Sequence, residues 1–190
     1  MTLPAWVPAD ETEPAPMPLL LVQSFVNTWE GDTGADVLME AATAQPWLQA
    51  AGLVDPGQLL TDRDLDLVRA VRESIRALLI HNAGGAAPTE KQLQPLADLA
   101  PSCHFAARVG TTGVVELQGD RGAHPVDFAG LLLTIRDAQG DGTWARLKAC
   151  HNGDCVWAFY DRSHARRGLW CDMAVCGNRI KNRNLRARRR

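Results

Sequence analysis

Four cysteines stand in two equally spaced pairs near the end of the chain, Cys150 with Cys155 and Cys171 with Cys176. Closely spaced cysteines form the turns from which two thiolates reach one Zn²⁺ ion, with sulfur–zinc distances of about 2.3 Å. Four thiolates complete a tetrahedral site and leave no open position for a substrate. The pattern therefore predicts one structural zinc site that all four cysteines form.

The same cysteines could instead form two disulfides, which would require export to an oxidising compartment. The first residues lack the basic stretch followed by an apolar stretch that directs export, so we expect a cytoplasmic protein with reduced cysteines. His151 and His164 are alternative metal ligands that four cysteines make unnecessary. Because the unfolded chain has no preformed site, zinc binding should be coupled to folding from about residue 146 onward, with the apolar residues of 156–160 as the small core.

The residues around and after the cysteines are strongly basic. Positions 146–190 hold twelve Lys and Arg residues against three acidic residues, a net charge of +9, whereas positions 1–145 carry −11. Ten of the twelve are arginine, whose planar guanidinium group suits bidentate contacts with phosphate or guanine. This charge distribution is typical of a nucleic-acid binder, and we expect DNA as the partner. The candidate DNA-binding residues are Arg166, Arg167, Arg179, Lys181, Arg183 and Arg186.

A helix is predicted to begin near Asp172, whose carboxylate can cap the free N–H groups of the first turn. On such a helix Arg179, Arg183, Arg186 and Arg190 share one face. Phosphate contacts position a protein on DNA, and base-edge contacts read the sequence. Because one small module makes few contacts, we expect a homodimer on a two-fold site.

The C-terminal motifs resemble a known bacterial family. Cys176-Gly-Asn-Arg179 followed by basic residues, together with Trp157–Asp161 and Trp170–Cys176, resembles the CGNR zinc finger. The resemblance implies that the finger binds DNA, and that the part of the chain before it is a regulatory domain.

The preceding residues resemble the ABATE domain, which is linked to stress-induced transcription regulation and often stands in front of this finger. The matching positions are Phe25–Thr28, Trp47-Leu48 with Gly52-Leu53, and the 64–79 segment. The resemblance implies a domain that senses a small-molecule effector or assembles the protein. The candidate ligand-binding residues are Asn27, Thr28, Arg72 and Arg76. Local hydrogen bonds and ion pairs with neighbouring acidic residues are the structural alternative for these side chains.

These motifs need positioning elements, which the pattern predicts as an α+β fold. Residues 1–18 contain five prolines and form a disordered or extended arm. Residues 19–145 form the ABATE-like domain, mostly helical with a small antiparallel sheet, and 146–190 form the four-cysteine zinc finger with a basic C-terminal helix. Predicted helices cover 19–29, 36–42, 45–50, 62–81, 88–99 and 124–138, with a hairpin of 103–109 and 113–118 and a strand at 144–149.

Several other function classes are less favoured by the sequence. No apolar run reaches the roughly 18 residues that span a bilayer, so no membrane partner is expected. Gly-rich phosphate loops, His-Glu-x-x-His and Gly-x-Ser-x-Gly are absent from the sequence, which argues against an enzyme. Two alternatives stay open: a small-molecule-binding or protein-docking module with a purely structural finger, and an RNA-binding protein.

Overall fold

The predicted α+β architecture is confirmed in the computed structural model, which describes residues 3–9, 11–120, 122 and 124–188. The helices are α1 Leu19–Val26, α2 Ala41–Ala50, α3 Asp62–Asn82, α4 Glu90–Leu99, α5 Phe128–Asp141 and α6 Asn178–Arg188. The strands are β1 His104–Val109, β2 Val115–Asp120, β3 Leu147–Ala149 and β4 Ala158–Tyr160. Among the described residues, no helix is long and apolar enough to cross a membrane.

The core is built around α3, the longest of these helices. Its start is fixed by a reciprocal cap in which the Thr61 hydroxyl accepts from the Asp64 N–H and the Asp64 carboxylate accepts from the Thr61 N–H. Helical spacing then places Leu65, Val68 and Ile75 on one buried face. This face packs against α1 and β3, while α4 covers another side of the helix.

The region before α2 differs from the sequence prediction. The predicted helix over 36–42 is wrong, because Asp36 pairs with Trp29 in an isolated β-bridge and its carboxylate binds Arg72 on α3. A single helix, α2, then starts at Ala41 rather than at residue 45. A tertiary ion pair thus overrides the local helical pattern.

The strands form two separate two-stranded antiparallel sheets. In the first, β1 and β2 make the predicted hairpin, and every residue of both strands except Gly119 is exposed. In the second, β3 pairs with β4, and all six residues are buried. The first three residues of the predicted strand at 144–149 form a 3₁₀ turn instead. The buried pair joins the finger to the front of the chain, because β3 and β4 flank the first cysteine pair.

The described residues before α1, within 3–9 and 11–18, contact the folded domain. Val7 and Ala15 are buried in the main core, and the Trp47 indole N–H donates to the carbonyl of Trp6 at 2.9 Å. The Tyr160 N–H on β4 donates to the carbonyl of Glu13. This segment therefore covers one edge of the buried β3–β4 sheet.

Candidate functional site

The four cysteine sulfurs lie together on the face of the molecule from which α6 begins. All four Sγ atoms are within 4.8 Å of one another. The Cys155–Cys171 and Cys171–Cys176 sulfur separations are 3.7 and 3.8 Å. A tetrahedral ion with 2.3 Å bonds to sulfur requires separations of about 3.8 Å, so the geometry fits a metal ion held by four thiolates.

The first cysteine pair sits in a turn organised by Asn152. Its backbone carbonyl accepts hydrogen bonds from the N–H groups of Cys155 and Val156, at 2.8 and 3.0 Å. Its buried side-chain amide lies 3.9 Å from the Cys176 sulfur and donates an N–H to it. Asn152 was not among the site residues predicted from the sequence, although an Asn two residues after a ligand cysteine is a recognisable turn signal.

The second pair sits in a turn that leads directly into α6. The Asp172 carboxylate accepts from the N–H groups of Ala174 and Val175, which is the cap predicted from the sequence. One π-helical turn, Met173–Gly177, carries Cys176 to the metal site before α6 starts. A Cβ atom at Gly177 would lie 2.5 Å from the sulfur of the exposed Met173, so a larger residue here would require the flexible Met173 side chain to move.

The aromatic residues of the finger divide between two cores. Trp157 and Trp170 pack against the cysteine cluster. Tyr160 and Ala158 belong instead to the main core with α1 and α3. The prediction that residues 156–160 form a core of their own is therefore only partly correct, because Trp157 packs on the cysteine cluster whereas Ala158 and Tyr160 belong to the main core.

The close sulfurs shift one another's pKa values, and the hydrogen bonds with Cys155 and Cys171 lower the pKa of Cys150 to about 2. Hydrogen bonds to Cys150 and Cys155, reinforced by burial, raise the pKa of Cys171. The hydrogen bond to Cys150 likewise raises the pKa of Cys155. A divalent cation would allow all four cysteines to be thiolates, because coordinated thiols lose their protons.

Two buried side chains of the domain that precedes the finger, Arg76 and Asn27, bind the finger backbone just after its first cysteine pair. We call this preceding domain the front domain. Arg76 donates to the carbonyls of Val156 at 3.0 Å and Val26 at 2.7 Å. The Asn27 amide accepts from the N–H of Ala158 and donates to its carbonyl, at 2.7 and 2.9 Å. Val156 adopts a left-handed backbone with φ of 48°, which is strained for a β-branched residue. The Arg76 hydrogen bond helps to hold this strained residue next to Cys155.

Arg72 completes the same buried network. Its guanidinium group binds the Asp36 carboxylate with two bonds of 2.6 and 2.9 Å, and it donates to the Thr28 hydroxyl at 3.2 Å. Burial alone would raise the pKa of Asp36, but the Arg72 bonds hold it below its usual value. Glu73 bridges Arg72 and Arg76 with its two carboxylate oxygens.

The structure therefore brings the four candidate ligand-binding residues together at the junction with the finger. Each of the four makes hydrogen bonds to protein groups. A ligand would have to replace one of these bonds, so a ligand role stays a prediction.

The α6 arginines have the opposite environment. The side chains of Arg179 and Arg183 are 58% and 61% exposed, and they lie 3.8 Å from Asp32 and 3.2 Å from Asp154. Together with Arg186 they line one open face of the helix, and Lys181 is also exposed. The fourth arginine of the predicted stripe, Arg190, lies outside the described residues.

Arg166 and Arg167 stand in the loop between β4 and Cys171, with exposed side chains. This loop is organised by a buried ion pair, in which Lys148 Nζ lies 2.8 Å from Asp161 Oδ2 and also donates to the carbonyl of Arg166. Lys148 contributes to the basic charge of the segment, but its ammonium group is buried and paired with Asp161, so it is not available at the surface. The two neighbouring arginines are held at the surface instead.

Two family models match the chain, one over the finger and one over the part of the chain that precedes it. The CGNR zinc finger model matches residues 146–189. The ABATE model, which carries the description "putative stress-induced transcription regulator", matches residues 20–148. The two matches overlap at β3, the strand shared by the front core and the finger. None of the curated proteins matches the chain.

Proposed function

The chain belongs to the ABATE family and ends in a CGNR zinc finger, and from this membership we propose that it is a bacterial, cytoplasmic transcription regulator that binds DNA through α6. The observation that carries the proposal is an exposed row of arginines on a helix that starts two residues after the last cysteine of the metal cluster. The metal cluster would therefore fix where these arginines point.

We propose zinc as the metal, held by Cys150, Cys155, Cys171 and Cys176. Zn²⁺ suits a tetrahedral set of four thiolates, and such a site supplies folding energy rather than a reactive position. The domain division at about residue 145 follows from the same proposal, with an arm over 1–18, the ABATE domain over 19–145 and the finger over 146–190. Zinc then orders the finger while the buried β3–β4 pair anchors it.

Arg179, Lys181, Arg183 and Arg186 would contact DNA phosphates, with Arg166 and Arg167 as further contacts. The acidic partners Asp32 and Asp154 are well exposed, and exposed ion pairs contribute only about 0–1 kcal/mol. DNA phosphates can therefore replace these acidic partners at little cost. Homodimerisation would place two such helices on one two-fold DNA site.

A small-molecule effector would act at the buried junction of Asn27, Thr28, Arg72 and Arg76. Arg76 and Asn27 hydrogen-bond directly to the backbone of residues 156–158. A ligand that replaces one of these hydrogen bonds would therefore weaken the contact between the front domain and the finger. The exposed Glu73 carboxylate bridges Arg72 and Arg76. An anionic effector could replace this carboxylate and pair with the same two arginines. The proposal contains no catalytic step, since the two families are a regulator and a zinc finger.

The experiment is a selection of genomic DNA fragments by purified zinc-loaded protein at two salt concentrations. The test variant is Arg179→Ala/Arg183→Ala. The matched control, Arg63→Ala/Arg136→Ala, removes the same charge from exposed positions of the front domain. We expect one enriched duplex motif that the test variant loses and the control keeps.

Salt-sensitive binding without a motif would restrict the finger to phosphate contacts and contradict a sequence-specific regulator. A preference for single-stranded or looped RNA at equal salt would replace DNA with RNA as the partner. Equal DNA binding by the two double variants would show that Arg179 and Arg183 of α6 do not contact the DNA.

A further inference from the structure

The β1–β2 hairpin separates apolar from polar residues by face. In an antiparallel pair, residues directly opposite each other point to the same side of the sheet. The register pairs Phe105 with Gly119, Ala107 with Leu117, and Val109 with Val115. One face therefore carries no charged or polar side chain. We call these six residues the apolar hairpin face. The other face carries the alternate residues, namely His104, Ala106, Arg108, Glu116, Gln118 and Asp120.

This apolar face is largely uncovered. Phe105, Val109, Val115 and Leu117 are 45%, 71%, 64% and 43% exposed. Their combined exposed surface is roughly 400 Å², the size of the largest apolar patch on a typical monomer, and such patches are often functional. Such a patch is unfavourable in water for an isolated chain.

Helix α5 covers only one end of the face. A Cβ atom at Gly119 would lie 2.8 Å from the Ala129 Cβ, so β2 touches the first turn of α5 at that point. Exposure then rises toward the hairpin tip, where Val109 and Val115 pair. The fold therefore anchors the hairpin at its base and projects its apolar residues beyond the core.

We infer that the apolar hairpin face is the contact between two copies of this chain, packed face to face about a two-fold axis. A second copy presents an equally uncharged face, while both polar faces, including the opposite charges of the cross-strand pair Arg108 and Glu116, stay in water. Two strands alone are marginally stable, and four strands in two layers bury the side chains that a single hairpin exposes.

The size of the contact fits a reversible dimer. Two faces contribute roughly 800 Å² of exposed surface, less than the roughly 1,200–2,000 Å² of stable interfaces, so the dimer should dissociate within an accessible concentration range. The proposed contact uses β1 and β2, whereas α6 packs on the cysteine turn, so the two surfaces belong to different elements. This inference rests on the proposed function in one respect only, that a two-fold DNA site uses two fingers.

Two neighbouring alanines of β1 supply a matched test. Ala107 lies on the apolar face and Ala106 on the polar face, and both are exposed. Sedimentation velocity over a concentration series of the zinc-loaded full chain should show a dimer for the wild type. Ala107→Glu should raise the dimer dissociation constant by about 100-fold or more, because two carboxylates meet at the axis. Ala106→Glu should leave it within a few-fold of wild type.

Circular dichroism and thermal unfolding of both variants separate dissociation from misfolding, and Val115→Glu repeats the test on β2. A wild-type chain that is monomeric throughout the series overturns the inference, as does a dimer that Ala107→Glu and Val115→Glu leave intact. A monomer that still selects one DNA motif would remove the interface and keep the proposed function. A hairpin-dependent dimer that selects no nucleic acid would support the interface and contradict the proposed function.

Discussion

Helices α3 and α6 both carry rows of arginines, but the two rows are in opposite environments. Arg72 and Arg76 on α3 are each only 3% exposed. They are bound to carboxylates and backbone carbonyls. Arg179 and Arg183 on α6 are mostly exposed, and each pairs with an exposed acidic side chain. Arginine spacing is similar in the two helices, so burial decides which row holds the protein together.

The comparison shows why residue type alone does not locate a nucleic-acid interface. A buried guanidinium group must be paired, because an isolated buried charge is very costly. An exposed one keeps its donors available for phosphate at little cost. The arginines of the candidate effector site and those of the candidate DNA-binding surface therefore differ in accessibility, not in side-chain chemistry.

Loss of the metal should have the largest effect, and it should affect only one of the two helices. Structural zinc contributes on the order of 10 kcal/mol to the folding of small finger modules. We expect Cys176→Ser to lose the bound metal and to expose the amides of α6 and the cysteine turns, while α3 stays protected. Hydrogen exchange with mass spectrometry measures this directly.

The fifth cysteine provides the control for metal loss. Cys103 lies outside the sulfur cluster, so Cys103→Ser should retain one metal ion per chain and normal α6 protection. Simultaneous loss of protection in α3 and α6 of Cys176→Ser would show that the metal supports the whole chain rather than the finger.

Breaking the buried ion pair on α3 should have the next largest effect. Arg72→Met leaves the Asp36 carboxylate buried and unpaired, so the free energy of unfolding should fall by about 3–5 kcal/mol. Urea unfolding measures the change, and Asp36→Leu added to Arg72→Met should recover much of it. Arg179→Ala on α6 is the matched control and should change stability by less than about 0.5 kcal/mol. A cost below about 1 kcal/mol for Arg72→Met would contradict the buried pairing.

Asp161 tests a buried charge inside the finger. Burial would raise its pKa, but Lys148, Ser163 and the Gly168 N–H lower the pKa to about 2. Because the folded pKa lies below the unfolded value, the stabilisation, up to about 2 kcal/mol, is complete above about pH 4 and is lost as the pH falls toward 2. Carbon-13 NMR should therefore find Asp161 still ionised at pH 4 in the metal-loaded protein.

The Lys148 ammonium group is a main cause of this depression, so Lys148→Met should move the Asp161 titration toward the ordinary aspartate range. The exposed Arg162→Met serves as control and should leave it unchanged. A wild-type midpoint near pH 4 would mean that the Lys148–Asp161 pair is weak in solution.

The smallest effect in energy is expected on α6 itself, and it should appear in binding rather than in stability. Each phosphate contact contributes about 0.9 to the slope of log affinity against log salt. Arg179→Ala/Arg183→Ala should therefore reduce the slope by about 2 and weaken duplex binding by about tenfold or more at moderate salt. Fluorescence anisotropy with one duplex at several salt concentrations measures both. An unchanged slope would place the phosphate contacts elsewhere.

Much of the architecture was predictable because it depends on local signals. The α3 cap at Thr61, the Gly-containing hairpin turn after β1 and the Asp172 cap are short-range patterns that their own residues specify. The region of 36–42 was mispredicted because its conformation depends on Arg72, far away in the chain. Asn152 was missed for a similar reason, since its role near Cys176 appears only when the two cysteine turns meet.

The sequence by itself determined the sulfur cluster, the basic segment and their order along the chain. Cysteine spacing and local charge are properties of neighbouring residues, and metal coordination tolerates little variation in geometry. Only the tertiary structure decided which charges are available. The sequence did not show that Lys148, Arg72 and Arg76 are buried, because their burial against carboxylates and carbonyls comes from packing. Burial is a collective property of the fold, because it depends on which distant elements pack around a side chain.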